Sequence, residues 1–110
     1  MGLFGSLFGG GGGLTAEQAK AEMDSGKDYT LIDVRNPDEY KMGHIPGAKL
    51  MPLSSLQASA GKGLPDKGAR ILVYCQSGGR AGSAVQLLHQ LGYDNAISFG
   101  GISSWPYEVV

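Results

Sequence analysis

Two apolar, β-branched runs, each followed by signals for a helix start, restrict the fold more than any other feature of this sequence. The runs are YTLIDV, residues 29–34, and RILVY, residues 70–74. Short runs of this composition predict buried strands, and buried strands that alternate with helices pack into a parallel sheet. The sequence therefore predicts an α/β fold with a central parallel sheet of four to five strands and helices on both faces.

Helix signals surround these two strands. Asn36 and Glu39 predict a capping box for a helix that ends at Gly43, with Glu39 reaching back and Pro37 at the first helical position. The other predicted elements are a helix over 16–23 capped by Thr15 and closed by Gly26, a strand over 48–51, a helix over 54–60 closed by Gly61, a helix from Arg80 closed by Gly92, a strand over 96–99 and a final turn over 102–105.

Composition divides the 110-residue chain into a tail and one domain. Residues 1–13 carry no charge and end in five glycines, so we predict a flexible glycine-rich tail followed by a domain over 14–110. The net charge of −1 gives no basic surface for nucleic acid. No apolar run approaches the roughly 20 residues of a membrane span, and membrane contact through the tail is the less favoured alternative.

The chain has one cysteine, Cys75, and two separated histidines. A single cysteine excludes an intramolecular disulfide and a cysteine-rich zinc site, and we expect neither a metal nor another cofactor. No basic segment precedes an apolar stretch as in a signal peptide, and a free thiol suits a reducing compartment. We therefore expect a cytoplasmic protein.

Cys75 lies where a buried strand ends and a helix begins, which is where open α/β sheets bind ligands. The segment Gln76-Ser77-Gly78-Gly79 must turn sharply, and its amides and the helix dipole then favour negative charge nearby. Arg80 adds a full positive charge. These features favour a reactive thiolate beside an anionic substrate, whereas the plainer interpretation is a buried core cysteine.

Four motifs follow one another along the chain: DVR with EY (33–35 and 39–40), GHIPGA (43–48), CQSGGR (75–80), and LGY with GGI and Trp105 (91–93, 100–102). In this order they resemble the motifs of the rhodanese-like sulfurtransferases in their single-domain form. The resemblance covers nearly all of the chain after the tail, with two departures. Members often have serine where Ala81 stands, and many have asparagine at Leu50.

The resemblance implies a sulfurtransferase that needs no cofactor. Cys75 would take a sulfane sulfur from thiosulfate or a related donor, carry it as a persulfide, and pass it to cyanide or a thiol. The amides from Gln76 through Ser77, Gly78 and Gly79 to Arg80 would cradle the persulfide or the donor, and Arg80 would bind thiosulfate. Asp33 and Arg35 would either support this site or form a purely structural ion pair.

Two alternatives stay open. A phosphatase or arsenate reductase also uses a cysteine in an amide loop, but only four residues separate Cys75 from Arg80, one fewer than in related phosphatase loops. A non-enzymatic module could instead carry a persulfide to a partner protein, or dock that partner. The expected partners are thus a small sulfur donor, a thiol or cyanide acceptor, and a protein acceptor as a further candidate.

Overall fold

A computed structural model describes residues 13–110, so residues 1–12 of the predicted tail lie outside the described residues. Four parallel strands form one sheet in the order β2-β1-β3-β4, which confirms the predicted α/β class. The strands are β1 Thr30–Asp33, β2 Lys49–Leu50, β3 Ile71–Cys75 and β4 Ala96–Gly101, and the helices are α1 Ala16–Met23, α2 Pro37–Met42, α3 Leu53–Gly63 and α4 Gly79–Gln90, with a 3-10 turn at Ile102–Ser104.

The central strand β3 organises the core, because it pairs with both β1 and β4 and is buried along its whole length. Successive side chains of a strand point to opposite faces of the sheet. Val73 and Cys75 therefore join the core formed with α3 and α4. Leu72 and Tyr74 join the opposite core, which includes residues of α1 and Trp105. Helices cover both faces, as predicted.

The first two helices start differently. In α1 the predicted capping box forms, since the Thr15 side chain accepts a bond from the Gln18 amide at 3.0 Å and the Gln18 side chain accepts one from Thr15 at 2.9 Å. Pro37 opens α2 and Asn36 lies at its N-cap position, as predicted, but the Asn36 side chain makes no cap hydrogen bond, so the second predicted capping box is incomplete. Both carboxylate oxygens of Glu39 accept hydrogen bonds from Arg80.

The helix α3 is longer than the sequence predicts, because Gly61 does not end it. Gly61 lies inside the helix without the positive φ that a terminating glycine adopts. Leu56, Ala60 and Leu64 are buried at a spacing of four residues, so the apolar face continues past Gly61. Within residues 13–110, no helix is long and apolar enough to cross a membrane.

The helix α4 follows β3 after the short loop of residues 76–78 and ends as the sequence predicts. Gly92 has φ +98°, its amide bonds to the His89 carbonyl, and the Tyr93 amide bonds to the Leu88 carbonyl. This arrangement is a Schellman motif, in which glycine adopts the left-handed conformation after the last turn. Ala81, Ala84 and Leu88 are the buried residues of α4. The helix is therefore fixed against the sheet along one face.

Truncating the buried face of α4 should destabilise the domain. We expect Leu88→Ala to lower the free energy of unfolding by about 2–5 kcal/mol, because it removes apolar contacts and leaves a cavity. Gln86→Ala on the exposed face is the matched control, with an expected change within about 0.5 kcal/mol. Urea unfolding followed by far-ultraviolet circular dichroism measures both. Equal effects would contradict the packing described for α4.

Candidate active site

The sulfur of Cys75 lies at the carboxyl end of β3 and is held by backbone amides of the following loop. The Gly78 amide donates to Sγ at 3.0 Å and the Ala81 amide at 3.3 Å. The side chain is almost fully buried, and the first turn of the 12-residue helix α4 begins beside it. Amide donors and a helix N-terminus both favour negative charge on this sulfur.

Glycine conformations shape this loop. Gly78 has φ +117°, in the left-handed region that a side chain disfavours, and it turns its own amide toward the sulfur. On the other side, β4 passes so close that a Cβ on Gly101 would overlap the Gln76 carbonyl. That carbonyl accepts a hydrogen bond from the Ser103 amide at 3.1 Å. The carboxyl end of β4 thus fixes the start of the loop.

Arg80, the last residue of the six-residue segment, forms a two-pronged ion pair with Glu39 of α2. Its Nη1 and Nη2 atoms donate to the two carboxylate oxygens at 2.8 and 2.9 Å. The two side chains remain 36% and 29% exposed, so solvent reaches the pair. The hydrogen bond and charge of Arg80 lower the pKa of Glu39, while the bond to Glu39 is the main cause that raises the pKa of Arg80.

Asp33 and Arg35 form a second ion pair, and this one is buried. Arg35 Nε lies 3.0 Å and Nη2 2.7 Å from the carboxylate oxygens of Asp33, and the Arg35 amide also donates to Asp33 at 2.9 Å. Hydrogen bonding to Asp33 is the main cause that raises the pKa of Arg35. The same guanidinium donates to the Gly43 carbonyl at 2.7 Å and reaches Gln76 Oε1 at 3.5 Å. The pair therefore links β1 to the loop after Cys75.

The site residues predicted from the sequence are thus adjacent, but their arrangement differs in detail. Sγ accepts from the amide of Gly78, inside the predicted cradle, and from that of Ala81, one residue beyond it. The side chains of Gln76 and Ser77 are exposed at the outer edge of the loop, and Gly79 is the first residue of α4. Within residues 13–110, no three His, Cys, Asp or Glu side chains form a group able to hold a metal ion.

This loop geometry, on a parallel sheet of this order, agrees with the comparison to known families. A sequence model described as the rhodanese-like domain matches residues 15–107. The chain belongs to the rhodanese-like family. The match includes β1, the Cys75 loop and the end of β4, so every element that forms the site lies inside it.

Relatives of this rhodanese-like chain include proteins with a named activity. An uncharacterized 16.5 kDa protein of Synechococcus elongatus is 46% identical over 71 residues, which are 60% of this chain and 47% of that protein. Thiosulfate sulfurtransferase PspE of Escherichia coli is 35% identical over 71 residues, covering 64% and 68% of the two chains. The human single domain sulfurtransferase TSTD1 superposes with a TM-score of 0.71 at 28% identity, covering 89% and 93%. The chain thus spans less than half of the first of these relatives.

Two features of the site were missed from the sequence. From the sequence, Glu39 is assigned a helix-capping role and a place in the EY motif, but no role at the site. Because α2 follows β1 and β1 neighbours β3, a carboxylate in the first turn of α2 lies near the Cys75 loop. That topological signal is present in the sequence. The close approach of Gly101 to Gln76 has no comparable signal, because it depends on an irregular register between β3 and β4.

The two types of ion pair give a prediction about stability. We expect Arg35→Leu to lower the free energy of unfolding by about 3–5 kcal/mol, because Asp33 would keep a buried charge without its partner. Arg70→Leu is the matched control: Arg70 pairs with Glu22 at 2.6 Å, but both side chains are about a quarter exposed. Its loss should cost about 1 kcal/mol or less. Chemical denaturation measures both, and comparable losses would show that Asp33 and Arg35 contribute no more than a surface pair.

Proposed function

We propose that this chain is a sulfurtransferase that moves a sulfane sulfur from thiosulfate or a related donor, through a Cys75 persulfide, to cyanide or a thiol. The observation that carries the proposal is the pair of amides that donate to Sγ where α4 begins. A merely buried cysteine has no need of such donors. Relatives named as sulfurtransferases, one of them a thiosulfate sulfurtransferase, support the proposal.

In the first half of the proposed cycle, the Cys75 thiolate attacks the outer sulfur of thiosulfate. A bond forms between Sγ and that sulfur while the bond from that sulfur to the sulfonate breaks, and the electron pair leaves with sulfite. Cys75 then carries one additional sulfur, and the negative charge lies on the terminal sulfur. The amides that donate to Sγ and the N-terminus of α4 would stabilise the thiolate before this step, and we propose that amides of the same loop stabilise the terminal sulfur after it.

In the second half, a nucleophile attacks the terminal sulfur and restores the Cys75 thiolate. Cyanide would leave as thiocyanate, and a thiolate would leave as a persulfide. The proposed acceptors are cyanide, a small thiol, or a cysteine of a partner protein. Because the cycle returns to a free thiolate, we place the protein in a reducing compartment, the cytoplasm.

The Cys75 assignment is tested by intact mass. Thiosulfate should add the mass of one sulfur atom to the protein, and subsequent cyanide should remove it and release thiocyanate. Cys75→Ser should neither gain the mass nor turn over, because serine cannot form the persulfide. If the wild-type protein gains no sulfur, the chain is better described as a docking module. Thiocyanate production by Cys75→Ser would contradict the assignment directly.

Arg80 is the proposed positive charge for the donor. Replacing it with alanine should raise the KM for thiosulfate about ten- to a hundredfold, the scale of a lost charged hydrogen bond. Steady-state kinetics at fixed ionic strength measure the change. Arg70→Ala removes an equal charge from the far end of β3, where Arg70 pairs with Glu22, and should leave the KM nearly unchanged. Unaltered kinetics in Arg80→Ala would show that the loop amides alone bind the donor.

A further inference from the structure

The two arginines beside the Cys75 loop are both neutralised by carboxylates. Arg35 is held by Asp33 inside the protein, and Arg80 is held by Glu39 at its surface. The amide that follows Arg80 in the chain, that of Ala81, donates to Sγ of Cys75 at 3.3 Å, so the Arg80–Glu39 pair lies beside the loop that holds the sulfur. The side chains of these two pairs together carry no net charge at the entrance of the Cys75 site. The proposed donor, however, is an anion.

Glu39 acts on this entrance in two ways. It occupies both Nη atoms of Arg80 at hydrogen-bond distance, so a donor that used either atom would have to displace a carboxylate oxygen. It also cancels the positive charge of Arg80, which would otherwise attract an anionic donor. Attraction between charges scales with the charge of the donor, so a dianion loses about twice as much as a monoanion when Arg80 is neutralised.

Solvent exposure decides how strong this effect is. Arg80 and Glu39 lie in the intermediate range of exposure, unlike the buried Asp33–Arg35 pair. A partly exposed ion pair costs less to open than a buried one, because water can solvate the partner that is released, so a ligand can exchange with one partner. Because its pKa is lowered, Glu39 stays ionised through the neutral range and competes with the donor there. The buried pair has no such freedom.

We propose that Glu39 is a specificity-determining residue that weakens the binding of doubly charged sulfur donors relative to singly charged ones by holding Arg80. This inference rests on the proposed function. The favoured donors are organic thiosulfonates and persulfide anions, which carry the same transferable sulfur with one negative charge. With a thiosulfonate, the Cys75 thiolate takes the outer sulfur and the electron pair leaves with an organic sulfinate.

The test compares two donors that differ in charge. In Glu39→Gln, the KM for thiosulfate should fall about tenfold, because Arg80 becomes available to the dianion. The KM for methanethiosulfonate, a monoanion, should fall by about threefold or less, because the attraction between the released Arg80 and a single charge is about half as large. The ratio of kcat/KM values for the two donors therefore shifts toward thiosulfate. Cyanide is the acceptor in both assays.

Two further variants separate the mechanism from a general charge effect. Asp38→Asn removes an exposed carboxylate one residue away on α2 and should leave the donor ratio unchanged. In an Arg80→Ala background, Glu39→Gln should lose most of its effect on thiosulfate, because no guanidinium is there to release. Thermal unfolding of each variant checks that the fold is retained.

The outcomes distinguish the two proposals. If the wild-type protein turns over neither donor and gains no sulfur, the proposed function fails and the role of Glu39 falls with it. If the wild-type protein turns over thiosulfate but Glu39→Gln leaves the donor ratio unchanged, only the role of Glu39 is overturned. An equal shift in Asp38→Asn, or a full effect in the Arg80→Ala background, overturns it as well.

Discussion

The hydrogen bonds from the Gly78 and Ala81 amides to Cys75 Sγ are the interaction on which the site depends. They require β3 to end at Cys75, Gly78 to take a positive φ, and α4 to begin one residue later. Each requirement is met by a neighbouring element: β1 and β4 hold β3 in register, and the buried face of α4 fixes the helix. The geometry of these two hydrogen bonds therefore depends on the packing of the whole domain.

The charges around this contact are organised in two layers. The buried Asp33–Arg35 pair connects β1, the Gly43 carbonyl and the loop, and its geometry leaves little freedom to exchange partners. The outer Glu39–Arg80 pair is partly open to solvent. The inner pair therefore contacts the loop from inside the protein, and the outer pair is the one that an anion from solvent would meet first.

Much of the fold was predictable, because alternating buried strands and helix caps report local structure directly. Thr15 and Gly92 perform the capping roles that their sequence contexts predict. Gly61 does not, because the apolar face of α3 continues past it and outweighs a local helix-ending signal. Local signals are also insufficient for Glu39. Its position suits a helix cap, but its carboxylate pairs with Arg80, which is 41 positions away in the sequence.

The backbone carries most of the contacts to Cys75, and this explains which departures from the family pattern the site tolerates. Ala81 contributes its amide, which any residue except proline would supply, so the absence of a serine hydroxyl leaves the bond to Sγ intact. Its side chain is fully buried, and a hydroxyl there would need a partner of its own. Gly78 and Gly101, by contrast, are restricted to glycine. Gly78 has a positive φ, and a side chain on Gly101 would overlap the Gln76 carbonyl. The site therefore restricts backbone conformation strictly at these glycines, while side-chain chemistry is restricted mainly at Cys75 and at the paired arginines.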